Sequence, residues 1–146
     1  MSSRTNWPKV AVYLLLEKDD KVMLIRRYKT GWHDGDYSLP AGHVKSDESI
    51  YQAMIRETNE EVNITISKKD LQLAHVIHRN KTSDNAEYID FYFKVKTYKG
   101  KIKKGISCDK IIWRKLSNLP SNIIPVVKHV LEQINSRKIF SVTGWD

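Results

Sequence analysis

Two apolar runs, VAVYLLLE at 10–17 and VMLIRR at 22–27, flank the polar stretch KDDK, a pattern that predicts a hairpin of two strands. The next segment, YKTGWHDGDYSLPAG at 28–42, is broken up by glycines and aromatics and reads as a loop holding one short strand. A helix is expected from about Ser49 to Val62, with Ser46 or Asp47 placed to cap it. Three β-rich segments follow, at 71–78, 88–95 and 110–116. After the loop SNLPSNIIP, the segment VVKHVLEQI puts Val126, Val127, Val130, Leu131 and Ile134 on one helical stripe. The order β-rich, helix, β-rich, helix predicts an α/β fold: a mixed (α+β) sheet with helices on its faces. No repeat, low-complexity stretch or linker interrupts it, so 1–146 reads as a single domain.

The first helix raises a chemical question. At about 100° per residue, Tyr51, Ile55, Thr58 and Val62 fall on one side, the expected sheet-facing stripe. Ile50, Ala53 and Met54 fall on the other, together with Glu57, Glu60 and Glu61. Three carboxylates at i, i+3 and i+4 repel one another. They also sit near the helix C-terminus, the unfavourable end of the dipole. Two penalties in one place call for a cation, and carboxylate oxygens suit a hard divalent ion such as Mg²⁺. A plain acidic surface, with Arg56 pairing to Glu60 one turn on, is the competing reading.

Composition narrows the setting. The chain carries 25 basic and 17 acidic residues, for a net charge of +8, which attracts polyanions such as nucleotides and RNA. The lysines are scattered, with small clusters at Lys68-Lys69 and at 99–104. The lone Cys108 allows no intrachain disulfide and suggests a reducing compartment. The start MSSRTNWPKV lacks the apolar run of a signal peptide, and no segment approaches the ~20 residues of a membrane helix. These features predict a cytoplasmic protein with no membrane partner. The sequence carries no signal for oligomeric state. The histidines at 33, 43, 75, 78 and 129 show no zinc-like spacing.

The stretch GHVKSDESIYQAMIRETNEEVNI at 42–64 resembles, position by position, the signature of the Nudix hydrolases: glycine, five residues, Glu, seven residues, Arg-Glu, an aliphatic, any residue, Glu-Glu, any residue, glycine, an aliphatic. Gly42, Glu48, Arg56, Glu57, Glu60, Glu61 and Ile64 fall in register. The six glycine and charged matches would coincide by chance at roughly 1 in 10⁷. Two positions depart. Thr58 replaces an aliphatic, and its methyl can still face the sheet. Asn63 replaces a glycine that ends the helix in the left-handed conformation, which asparagine tolerates best among the other residues. More loosely, VMLIRR, YSLPAGH and IIWRKLSNLP resemble neighbouring Nudix segments, and TGWHDGDYSLPAGHV with the terminal GWD looks like a bacterial, MutT-like branch acting on nucleotides.

The resemblance implies a Nudix-type α/β/α sandwich and hydrolysis of a nucleoside diphosphate linked to another group, dependent on Mg²⁺ with Mn²⁺ as substitute. Glu57, Glu60 and Glu61, with the Gly42 carbonyl, would hold the metal, and one acid would take a proton from the attacking water. Arg56 would orient a carboxylate, and Glu48 would act as an outer ligand or a brace. Strand alternation lets only one of Arg26 and Arg27 readily reach substrate phosphate. Trp32 and Tyr37, and less directly Trp145, are candidates to contact a base. Glu87 and Asp90, after the loop at 80–86, are candidate extra acids. A nucleoside triphosphate is the expected substrate. The alternatives are triphosphorylated RNA 5′ ends and a non-catalytic nucleotide or ADP-ribose binding module.

Overall fold

Six consecutive residues, Ala11 to Leu16, are all buried, which requires a strand covered on both faces. They form the middle of β1 (Lys9–Lys18) in the computed structural model, which describes residues 7–81 and 86–145. A tight turn with positive φ at both Asp19 and Asp20 leads into β2 (Lys21–Arg27), the backbone shape that suits a two-residue hairpin. The hairpin register is brief, Glu17 opposite Val22 and Lys18 opposite Lys21, before the strands part.

The strands then take different partners. The segment read as a loop with one strand holds two, β3 (Tyr37–Ser38) and β4 (Ala41–His43). β4 runs antiparallel to β1, and β6 (Tyr88–Val95) runs parallel to it, Lys9 opposite Tyr88 through Leu16 opposite Val95. β5 (Gln72–Arg79) pairs antiparallel with β6. β7 (Cys108–Arg114) pairs with β2 and begins and ends two residues before the expected span, because Lys115 turns the chain into a 3-10 turn at Leu116–Asn118. A last strand, β8 (Phe140–Thr143), was not anticipated; it lies parallel to β5 at the sheet edge. The order is β3-β2-β1-β6-β5-β8, with β4 on β1 and β7 on β2. The loop read at 80–86 is described only at its edges, since 82–85 lie outside the described residues.

Alternation along β1 builds two cores. Ala11, Tyr13 and Leu15 face α2 (Pro125–Asn135) through Val127, Val130 and Leu131, with Val126 and Ile134 at the margin. Val12, Leu14 and Leu16 face α1 (Ile50–Val62) through Ala53, Met54 and Val62. The result is a mixed sheet between helices, the α/β/α sandwich of Nudix proteins.

Two expectations for α1 are corrected. Its cap is Ser49, not Ser46 or Asp47: Ser49 Oγ accepts the Gln52 N–H at 3.0 Å and the Gln52 side chain accepts the Ser49 N–H at 2.7 Å, a reciprocal box. Asp47 instead takes φ 61° in the preceding turn. The sheet-facing stripe is Ala53, Met54, Thr58, Glu61 and Val62, while Tyr51 is exposed and Ile55 half-buried. Thr58 can be fully buried because its hydroxyl donates to the Met54 carbonyl at 2.7 Å. The true stripe therefore contains one of the glutamates. Asn63 ends the helix at φ 64°, ψ 25°, the left-handed geometry that its place in the signature demands.

Candidate active site

Arg56 is the hub of the glutamate cluster. Its Nε and Nη2 donate to the two oxygens of Glu48 at 2.6 and 2.9 Å, a forked pair. Nη1 donates to Glu57 at 2.7 Å and, at a longer 3.3 Å, to Glu60. Nη2 also reaches the His43 carbonyl at 3.1 Å. One guanidinium thus ties the middle of α1 to its approach loop and to the end of β4. Glu48 gains a further hydrogen bond from the Lys45 N–H at 3.0 Å. Its pKa falls to about 2, chiefly through the Arg56 hydrogen bonds.

The three glutamates have different surroundings. Glu60 has a side chain 56% exposed and lies at the cluster's edge. Glu57, only 15% exposed, sets its carboxylate directly against Gly42, where a Cβ would overlap it. Burial raises its pKa, with Arg56 opposing. Glu61 is buried and accepts the Ala41 N–H at 2.9 Å. Burial lifts its pKa to about 8, with the charge on Glu57 adding to the rise. The half-buried Glu57 and the buried Glu61 thus both flank β4, at Gly42 and Ala41.

The end of α1 is held by the lysine-bearing segment at 99–107. Lys103 N–H donates to the Val62 carbonyl at 3.0 Å and Gly105 N–H to Glu61 at 2.8 Å, and the Asn63 side chain bonds the Lys101 carbonyl at 3.2 Å. Gly105 is required there, since a Cβ would come within 2.5 Å of the Glu60 carbonyl oxygen. These bonds satisfy carbonyls that a helix end leaves open.

Among the described residues no three His, Cys, Asp or Glu side chains converge to hold a metal as they stand; Arg56 occupies Glu57 and Glu60. The chemistry nonetheless fits a hard divalent cation. The donors are carboxylate oxygens, two have pKa raised by burial, and Gly42 leaves its Cα bare against Glu57.

A cavity of about 380 Å³ opens beside this cluster, with Gly42, His43 and Glu61 on one side and Arg27, Trp32 and Arg79 among the rest of its lining. Arg27 points into it: Nε donates to the Trp32 carbonyl at 2.6 Å, Nη2 to Thr30 Oγ1 at 2.8 Å, and the guanidinium lies 4.9 Å from the Trp32 ring centre. Asp34 shapes this loop by accepting from the Thr30 and Gly31 N–H groups and the Thr30 hydroxyl, and it is held below the usual carboxylate range chiefly by that hydroxyl.

Five expected residues do not line this cavity. Arg26, on the other side of β2, makes a forked pair with Asp109 at 2.7 and 3.1 Å. Tyr37 is buried in the core facing α2, because β3 bridges toward Ile123. Glu87 bonds His78 Nε2 at 2.5 Å and does not line the cavity. Trp145 lies on His78, its Nε1 donating to the His78 carbonyl at 3.2 Å. Asp90 is buried with Arg79, whose Nε donates to it at 2.6 Å. Arg79 itself was missed by the sequence reading. The signal was an arginine on the inward side of an alternating strand, with an aspartate on its neighbour. Cys108 is buried and its thiol is pushed up by burial, which leaves it inert. No described helix is long and apolar enough to cross a membrane.

A mixed sheet between two helices, one of them carrying a glutamate cluster under a glycine, defines the class. Residues 5–133 match the model of the NUDIX domain, and the chain belongs to the Nudix family. It is similar to an ADP-ribose pyrophosphatase of Methanocaldococcus jannaschii, 31% identical over 77% of this chain and 65% of that protein, so the match spans just under two thirds of the relative. It is also similar to an uncharacterised Nudix hydrolase of Bacillus subtilis, 29% identical over 81% of this chain and 73% of that protein. In fold it resembles a MutT NUDIX hydrolase from Burkholderia pseudomallei (TM-score 0.79, 22% identity, 88% of this chain and 98% of that one). A MutT protein from Methanosarcina mazei Go1 is as similar (TM-score 0.79, 20% identity, 92% and 97%).

Proposed function

We propose that this protein is a Mg²⁺-dependent nucleotide pyrophosphohydrolase, acting on a nucleoside triphosphate. The observation that supports it is the pair Glu57 and Glu61, one half-buried and one buried against β4, the first seated on Gly42 and the second on the Ala41 N–H. Glu57, Glu60 and Glu61, with the Gly42 carbonyl, would hold the ion. When bound, the ion neutralises the phosphoanhydride and polarises its oxygens. Arg56 fixes the carboxylates, and Arg27 offers positive charge to a phosphate across the cavity. Water adds to one phosphorus as the bridging P–O bond breaks, and a carboxylate of the cluster accepts its proton.

Free nucleotides are favoured over RNA because the candidate phosphate cations in the cavity are few. RNA normally recruits several phosphate contacts spread along a surface. The test is kcat/KM for a free triphosphate against a short triphosphorylated RNA at two salt concentrations. An RNA advantage above tenfold at near-physiological salt would replace this reading with end processing. The likeness to an ADP-ribose pyrophosphatase favours a second reading, a nucleoside diphosphate joined to a sugar. A phosphate-release screen that includes nucleotide sugars separates the two. Binding without turnover over hours in Mg²⁺ would make the protein a binding module instead.

A further inference from the structure

The cavity beside Glu61 has a neighbour. A second cavity, of about 420 Å³, adjoins it, and Trp32 and Arg79 line both. The two differ in chemistry. The first carries Arg27 and Glu61. The second is walled by Ile124, Pro125 and Val126 at the start of α2, with His129 one turn further on.

Two polar groups at this junction lack the partners that burial demands. Trp32 Nε1 and His129 Nε2 are buried with no hydrogen-bond partner among the described residues. Buried polar atoms in native proteins are nearly always satisfied, so two orphans around one cavity point to a ligand or water that completes them. Arg79 is 3% exposed, and its guanidinium makes one hydrogen bond to a described residue, from Nε to Asp90, while lying 4.1 Å from the Tyr88 ring centre. A guanidinium whose terminal nitrogens make no hydrogen bond to another described residue is suited to a phosphate oxygen.

We propose that the two cavities form one bipartite site, in which Arg79 receives a phosphate at the waist and the heterocyclic base of the nucleotide enters the second cavity. There the apolar start of α2 covers the ring, and its edge meets the Trp32 N–H and His129. This assignment rests on the nucleotide reading above. It makes Val126 and His129 determinants of specificity, and it accounts for an arginine kept almost wholly out of water.

The test compares two ligands that cannot turn over, by calorimetry in Mg²⁺. One is the α,β-methylene analogue of ADP or of GDP; the other is methylenediphosphonate, which has no base. The intact protein is expected to bind at least one nucleotide analogue at least tenfold more tightly than methylenediphosphonate. Val126→Trp, which fills the second cavity, is expected to erase that margin. Should that variant melt early, His129→Leu keeps the bulk, removes the ring nitrogens and is expected to cut the margin at least threefold. A folded variant of either kind that keeps the full margin overturns the base assignment. So does an intact protein that binds methylenediphosphonate as tightly as both nucleotide analogues. Failure of the intact protein to bind either ligand class overturns the pyrophosphohydrolase reading itself, and the base assignment with it.

Discussion

Gly42 and Glu57 adjoin so closely that a methyl group on Gly42 would overlap the Glu57 carboxylate. The glycine is needed for space, because its φ is not in the left-handed region. Gly42→Ala should therefore displace Glu57 while leaving the strand pairing of β4 intact. Misplacing a reacting group by an ångström costs about 10²-fold, so kcat should fall by roughly that factor with little change in circular dichroism. Normal turnover in this variant would remove Glu57 from the site.

Glu57→Gln and Glu61→Gln keep shape and remove charge. Each should lower kcat by at least ~10²-fold if these carboxylates hold the ion. Thermal stability without metal should hold or rise, because each change removes a carboxylate that burial disfavours in its charged form. Steady-state kinetics and a melting curve on each variant check both halves. Two fully active variants would mean that the cluster is only a surface ornament.

The raised pKa of Glu61 makes a prediction about pH. In the unfolded chain the group ionises near its ordinary 4.5, whereas in the fold it does so near 8. A carboxyl raised on folding favours the folded state while it is protonated. Its contribution is complete below pH 4.5 and is lost as pH rises through about 8. The metal-free protein should thus lose melting temperature across that window, and Glu61→Gln should flatten the loss. Adding Mg²⁺ at pH 8 should restore stability, since an ion that binds only the folded state stabilises it by mass action. Activity should vanish in excess EDTA. A melting temperature at pH 8 that ignores Mg²⁺ up to tens of millimolar would contradict the metal assignment.

Glu48 behaves in the opposite sense. Arg56 holds its pKa at about 2, below the ordinary 4.5. A carboxylate depressed on folding contributes stability that is complete above pH 4.5 and is lost as pH falls toward 2. Glu48→Gln should therefore lower stability at neutral pH and make the acid limb between pH 4.5 and 2 shallower than in the parent. Urea melts at pH 7, 4 and 2.5 would decide it. The same variant frees Arg56 to rotate, so a fall in kcat should accompany the loss.

Much of the site was legible because its spacing is local. Gly42, Glu48, Arg56, Glu57, Glu60 and Glu61 all lie within one strand-turn-helix unit, and on its helix positions at i, i+3 and i+4 fix which side chains meet. The left-handed Asn63 was legible for the same reason. The errors arose where a local pattern met tertiary packing. Tyr51 and Ile55 have the spacing of a buried stripe, but the sheet lies against Ala53, Met54 and Thr58, and Tyr51 rests at the rim beside Phe93. Arg26 and Arg27 are equivalent in sequence; Asp109, on the neighbouring strand, takes one and leaves the other to the cavity.

From the sequence alone come the first hairpin, the order of the longer elements and the glutamate-bearing helix, because each depends on periodicity within one segment. Only the tertiary structure decided which glutamate is buried, which arginine faces the cavity, and that Arg79, Trp32 and the start of α2 meet. Those residues are distant in the chain and converge through the parallel pairing of β1 with β6 and of β5 with β8. Parallel pairing needs long crossovers, and no local pattern specifies which strands a crossover will join.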